Sequence, residues 1–182
     1  FEAMLANYEL AFRMQTSLPD ALDIRSESQA IRALYGIDDE QTRQFGTQCL
    51  QARKLVERGV RFVQLLPAPP AGAEKWDQHF NLQAHHSANA LRVDRPIAGL
   101  LADLQARGLL DQTIVLWGGE FGRTPTGETS SRTQAVGRDH NRHGFTMWLA
   151  GGGVRPGLIY GATDEYGVEA IDSPTTVHDL HA

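Results

Sequence analysis

The chain is poor in several things that would assign it quickly. It has one cysteine, Cys49, so no internal disulfide framework can form and the redox compartment stays open. No apolar stretch approaches the roughly 20 residues of a membrane-spanning helix. No basic run is long enough to grip a phosphate backbone. With 17 Lys and Arg against 22 Asp and Glu, net charge −5, nucleic acid is not an expected partner. There is no Gly-x-Ser-x-Gly elbow. Gly151-Gly152-Gly153 lacks the Lys and Ser/Thr of a phosphate loop, so it reads as a tight turn. An initiating Met and a signal peptide are also missing. Ser173-Pro174 reads as an N-cap and first helical residue, of a helix that stops after about two turns. The 182 residues suffice for one domain with a core, and they read as a piece of a longer protein.

What is present alternates between helix and strand. Residues 2–14 space Leu5, Tyr8 and Phe12 as on a helix, and Ser17-Leu18-Pro19-Asp20 reads as a loop. Ser26 with Gln29 resembles a capping box for a short helix ending near Gly36. Asp38 or Asp39 caps the next helix, which runs through Arg58 with Phe45, Cys49, Ala52 and Val56 on one face and Gly59 at its stop. Cys49 on that face is expected in the core. Val60–Leu66 reads as a strand, broken by a Pro-rich loop from Pro67 that Trp76-Asp77-Gln78-His79 closes. A helix from Gln83 to Arg107 repeats Val93, Ile97, Leu100, Leu101 and Leu104. Pro96 predicts a kink or a start within it. Ile114–Trp117 is a continuous apolar run of the kind buried in a parallel sheet. Residues 123–138 read as an exposed, mobile loop, and Phe145–Ala150 and Leu158–Tyr160 as further strands. This order predicts an α/β fold, with residues 1–36 as an N-terminal helical segment and 37–182 as the sheet-bearing part. In such sheets ligands bind beyond the carboxyl ends of strands.

Three clusters carry possible chemistry. Asp77 and His79, two apart in an extended segment, leave on the same side and offer a carboxylate and an imidazole to one cation; alone, the pair reads equally as a solvated loop. Glu120 follows Gly118-Gly119 after a strand, either as a ligand or as a salt-bridge partner of Arg123. Asp139, His140 and His143 are the densest group, with Asp139 able to orient the His140 ring. The bland alternative is a capping Asp beside surface histidines. His85 and His86 read as solvated, and His178 as a packing residue. His181 is open between packing and the site. Thr124 and Ser130 are hydroxyls with nothing to activate them. Mixed oxygen and nitrogen donors suit zinc, calcium, magnesium or manganese.

A resemblance joins these segments. Gly59-Val-Arg-Phe-Val, Trp76-Asp-Gln-His, Asp94-x-Pro-Ile-x-x-Leu-Leu, Gly108-Leu-Leu-Asp-x-Thr, Glu120-Phe-Gly-Arg-Thr-Pro, Gly137-Arg-Asp-His and Ala150-Gly-Gly-Gly, spanning most of residues 35–182, occur in that order. In this the chain resembles the C-terminal half of an uncharacterised bacterial sulfatase-like family, the domain of unknown function numbered 1501. That family is similar to the alkaline phosphatase superfamily. The resemblance implies a doubly wound, mostly parallel sheet flanked by helices, two metal ions and, since many relatives carry export signals, an exported protein. It implies that Asp77 and His79 ligate the first metal with His140 completing the site. Glu120 falls where relatives carry the Asp of Asp-His-Gly. Two departures stand out: relatives space the first Asp and His more widely, and Phe121 replaces the His of Asp-His-Gly. The upstream Asp and the nucleophile of relatives have no counterpart here.

The function expected is metal-dependent hydrolysis of a phosphate or sulfate ester, with a small anionic ester as substrate. Asp77, His79, Glu120, Asp139 and His140 would serve the metals. His143 or Arg123 would contact the anion or protonate the leaving group. The rival expectation is a non-catalytic metal-binding or scaffold domain of the same fold, and a purely structural cation site is the third.

Overall fold

A computed structural model describes residues 22–67, 76–129 and 136–176, together with positions 4, 5, 8, 9, 12, 18–20, 178 and 179. Contacts divide the chain into two compact units. One comprises residues 1–68 and 91–109, the other residues 69–90 and 110–182.

The first unit is helical. Helix α1 is Gln29–Leu34, α2 is Arg43–Glu57, and α3, Leu82–Ala106, contributes its residues from Leu91 onward. Tyr35, Ile37, Phe45, Cys49, Leu50, Ala52, Val93, Leu100 and Leu104 form the core. Burial pushes the Cys49 thiol up to about 12, as an apolar pocket does to a group that must lose a proton to charge. Gly46 and Gly99 let two helices approach backbone. A side chain at Gly46 would strike the Tyr35 carbonyl, and one at Gly99 would come within 2.7 Å of the Leu34 carbonyl oxygen.

A polar network is buried beside this core. The Asp103 carboxylate, 3% exposed, accepts from the Tyr35 hydroxyl at 2.9 Å, Arg53 Nε at 2.9 Å and Arg107 Nε at 2.7 Å. Arg53 also donates to Glu27 at 2.7 Å and to Glu57 at 2.6 Å, and Arg107 reaches Glu57 at 2.7 Å. Burial works against the Arg53 charge, but the hydrogen bonds to Glu27 and Glu57 outweigh it and hold the guanidinium protonated. Burial first, then the Asp103 charge, drives the Tyr35 hydroxyl far above the usual phenol range.

Several local expectations are corrected. Ser28, not Ser26, caps α1, its Oγ accepting from the Ile31 N–H. Neither Asp38 nor Asp39 caps α2. Residues 35–42 run in turns instead, and the N-cap Thr42 turns its hydroxyl back to the Gly36 carbonyl. Helix α3 does not start at Pro96 but passes through it, with the ring fully buried. Val60–Leu66 forms no strand. Val63 to Leu66 line a cleft with Leu22, Ala52 and Leu55, while Phe62 is 82% exposed. A strand needs a neighbour to hydrogen-bond, and none is present for it among the described residues. Leu5, Tyr8 and Phe12 have helical backbone but are exposed.

The second unit holds residues 82–90 of α3 and a set of two-stranded antiparallel ribbons. After a one-turn 3-10 helix, Leu110–Gln112, β1 (Ile114–Trp117) pairs with β6 (Trp148–Gly151), Trp117 opposite Trp148. Strand β2 (Gly122–Arg123) pairs with β5 (His140–Asn141), β3 (Glu128–Thr129) with β4 (Val136–Gly137), and β7 (Ala162–Thr163) with β8 (Ala170–Asp172). The described partner of β1 is therefore antiparallel, and Ile114 and Leu116 are exposed rather than buried. Apolar character alone names neither a strand's partner nor its direction. Part of the loop expected over 123–138 thus pairs as β3–β4; residues 130–135, with Ser130, lie outside the described set. Leu158–Tyr160 forms no strand, and Ile159 is 91% exposed. Ser173 starts no helix. It sits at φ +46°, and its hydroxyl donates to Asp172. Three residues later, Asp179 accepts from the Thr176 N–H. His181 lies outside the described residues. His85, expected in solvent, is half-buried with its ring edge-on to Phe80 at 5.6 Å.

Candidate metal centre

The β2–β5 pairing puts Arg123 directly opposite His140. The segment 76–79, turned by the His79 N–H donating to the Asp77 carbonyl at 3.2 Å, is tied alongside, because Arg138 N–H donates to the Gln78 carbonyl at 3.0 Å. Trp76 anchors it, edge-on to Trp117 at 5.9 Å and to His86 at 5.1 Å. Arg123 then clasps the segments together. It donates to the Trp76 carbonyl, the Arg138 carbonyl and Asp77 Oδ1, at 3.1, 3.1 and 2.6 Å. Three loops distant in sequence thereby meet.

At the meeting point Asp77 Oδ1, His79 Nε2 and His140 Nε2 form a triangle. Its edges are 2.8 Å from His140 to Asp77, 3.2 Å from His79 to Asp77 and 3.2 Å between the two imidazole nitrogens. Donors about 2.05 Å from one ion stand about 3.3 Å apart in a tetrahedral arrangement and about 2.9 Å apart at right angles. The triangle matches that spacing. A second group, His79, Glu128 and Asp139, shares His79, whose Nδ1 lies 2.8 Å from Glu128 Oε2. Asp139 also holds the backbone, its Oδ1 accepting from the His140 N–H at 2.7 Å.

The charges and protons at this point are ones a cation could satisfy. Asp77, Glu128 and Asp139 are three carboxylates against one guanidinium, Arg123, which leaves two negative charges. A carboxylate offers no proton, so the His79–Glu128 contact needs the hydrogen on Nδ1. In the neutral ring, Nε2 of His79 is then a bare lone pair. The single proton available on His140 Nε2 must serve both that lone pair and Asp77. A divalent ion would satisfy all three atoms at once.

The other expected residues fall differently. Glu120 is exposed and belongs to neither group; Arg123 pairs with Asp77 rather than with it. His143 is exposed and also outside both groups, its main chain bonded to Asn141 Oδ1 and to the Ala170 N–H. Phe121 stacks obliquely on His140, with ring centroids 4.2 Å apart. The Thr124 hydroxyl joins loops, donating to the Thr126 carbonyl and accepting from the Asp139 N–H. Glu128 was not anticipated. Its only sequence signal is an acidic side chain in a polar stretch, which carries no pattern.

The cluster gives a pH dependence. The hydrogen bond from His140, then that from Arg123, holds the Asp77 carboxyl down at about 2. The Glu128 hydrogen bond raises His79 above the ordinary imidazole value, with Asp77 adding to it. A raised imidazole contributes stability in full below its unfolded pKa, about 6.5, and loses it as pH climbs through the folded value. Asp77 contributes above its ordinary 3.8 and loses that contribution as pH falls through about 2. For the metal-free chain this cluster is expected to stabilise most between about pH 4 and 6.5, and progressively less as pH rises above that window. Saturating Zn2+ should reverse the upper limb, because a ligating imidazole must be neutral. Thermal unfolding across that range, with chelator and with Zn2+, checks this; parallel limbs would remove the cation from the account.

The family described as "Protein of unknown function (DUF1501)" matches residues 1–182, and the chain belongs to it. No curated protein and no solved structure shows a significant match.

Proposed function

We propose that the chain carries the cation-binding part of a metal-dependent hydrolase of phosphate or sulfate esters. The observation that supports it is the convergence of Asp77, His79 and His140 at ligand spacing. When bound, a divalent cation would supply Lewis acidity toward the ester oxygens. Asp77, His79 and His140 would hold it, and Asp139 would steady His140 through the backbone. Arg123 balances the Asp77 charge beside an incoming anion, and His143 is the candidate for proton delivery to the leaving group. The doubly wound α/β sheet belongs to the same reading. The uncovered Ile114 and Leu116 on β1, beside a strand edge with no described partner, are what such a sheet would cover.

A second reading, a non-catalytic cation-binding or scaffold domain of that fold, is favoured by one feature. Phe121 lies over His140 while Glu120 stands outside both groups, which fits one ion rather than two.

Metal analysis and titration with Zn2+, Mn2+, Ca2+ and Mg2+, followed by turnover of an aryl phosphate and an aryl sulfate by the full-length protein, test both. Asp77→Ala with His140→Ala should weaken binding by more than the 10–100-fold typical of an outer partner's loss. Stoichiometric binding without turnover selects the second reading. Unchanged binding in the double variant removes the centre altogether. No helix among the described residues is long and apolar enough to cross a membrane.

A further inference from the structure

We infer that Glu128 is a positioning residue that fixes the tautomer and orientation of His79, delivered by the β3–β4 ribbon for that purpose. The inference rests on the cation reading above and deepens it. His79 faces two ways. Its Nε2 looks at Asp77 and His140, and its Nδ1 meets Glu128 Oε2 at 2.8 Å. Glu128 stands directly across the ribbon from Gly137, and Gly137 is buried against the His79 main chain. A Cβ on Gly137 would overlap the His79 carbonyl and the Phe80 nitrogen. One cross-strand pair therefore grips His79 twice: the glycine seats its backbone, and the glutamate takes its ring proton.

The chemistry follows from the imidazole. Neutral histidine carries one ring hydrogen, and a ligating nitrogen must be the other one. Free imidazole divides between tautomers and rotates about its side-chain bonds. With Glu128 accepting from Nδ1–H, both choices are made before any ion arrives, and Nε2 is left as the donor on the side where Asp77 and His140 converge. The second group, His79 with Glu128 and Asp139, is then an orienting shell and not a second ion site. One ring cannot offer Nδ1 to an ion while that nitrogen holds the proton. An ion at each nitrogen would require the ring to lose its last hydrogen.

The test separates the pair from the metal. Nitrogen-15 NMR of the metal-free chain at about pH 9, above the ordinary imidazole range, should show His79 as the Nδ1–H form. Glu128→Ala should lose that preference, while Glu128→Gln, whose amide oxygen still accepts, should keep most of it. Zn2+ competition against a chromophoric chelator should show Kd rising about 10–100-fold in Glu128→Ala and much less in Glu128→Gln. Circular dichroism of both variants guards against simple unfolding. An Nε2–H ring in the metal-free wild type, or Zn2+ affinity unchanged in Glu128→Ala, overturns the assignment. If the wild type binds no cation yet shows the Glu128-dependent tautomer, the cation reading fails and the positioning pair stands.

Discussion

Replacing Asp103 by alanine is expected to cost the first unit about 3–5 kcal/mol, the loss typical of breaking a buried ion pair from one side. The network holds Arg53, Arg107 and Lys54 against Asp103, Glu27 and Glu57, three charges of each sign. Alanine leaves it one positive charge in excess. It strips the acceptor from the Tyr35 hydroxyl, whose residue is fully buried, and from a guanidinium only 2% exposed. Tyr35→Phe is the control. It removes one hydrogen bond and leaves both guanidinium contacts to Asp103, so about 0.5–1.5 kcal/mol is expected. Denaturant titration read by Cys49 labelling reports this unit alone, because Cys49 is fully buried within it. A loss below about 1 kcal/mol in Asp103→Ala would show that Glu27 and Glu57 satisfy Arg53 unaided, and that the network is not coupled through Asp103.

Gly137→Ala is expected to lower Zn2+ affinity at least as far as losing an outer partner does, by roughly 10–100-fold. The added methyl meets main-chain atoms of His79 and Phe80, not the end of a flexible side chain, so something rigid must move. What moves carries His79, with Asp77 two residues away on the same segment. Three donor atoms within 3.2 Å of one another tolerate little displacement, because a coordination bond to nitrogen or oxygen is only about 2 Å long. Gly119→Ala is the matched control in the same unit, since its methyl would come no closer than 3.4 Å to the Phe121 carbonyl oxygen. Equal Zn2+ affinity in Gly137→Ala and the wild type would mean that the β3–β4 ribbon does not seat His79.

Much of this site could be read from residue types. Asp77, His79 and His140 announce themselves because carboxylates and imidazoles are dense there and flank short apolar runs. Long periodic segments were equally plain. Helix α3 follows its leucines, and α2 and α3 stop at Gly59 and Gly108, both at positive φ. Pairing was not legible. That Arg123 answers Asp77 instead of Glu120, or that Glu128 reaches across 49 positions to His79, depends on which ribbon edges meet. Val60–Leu66 and Leu158–Tyr160 have strand composition yet no described neighbour to bond with, so composition misled there. Helix starts shifted by a few residues for a related reason. Ser, Thr and Asp all cap, and Thr42 spends its hydroxyl on Gly36 while the turn ahead of α2 decides where the helix begins.

The two bare positions under the end of α1 have a consequence for how sequences like this can drift. Gly46 and Gly99 lie inside helices, where alanine would be better by about 1 kcal/mol in an isolated peptide. Here each hydrogen stands where a methyl would wedge α1 away from its neighbours. Improvement of the individual helices and assembly of the bundle therefore pull in opposite directions at these two sites, and substitutions chosen for local helicity would loosen the very unit they were meant to strengthen.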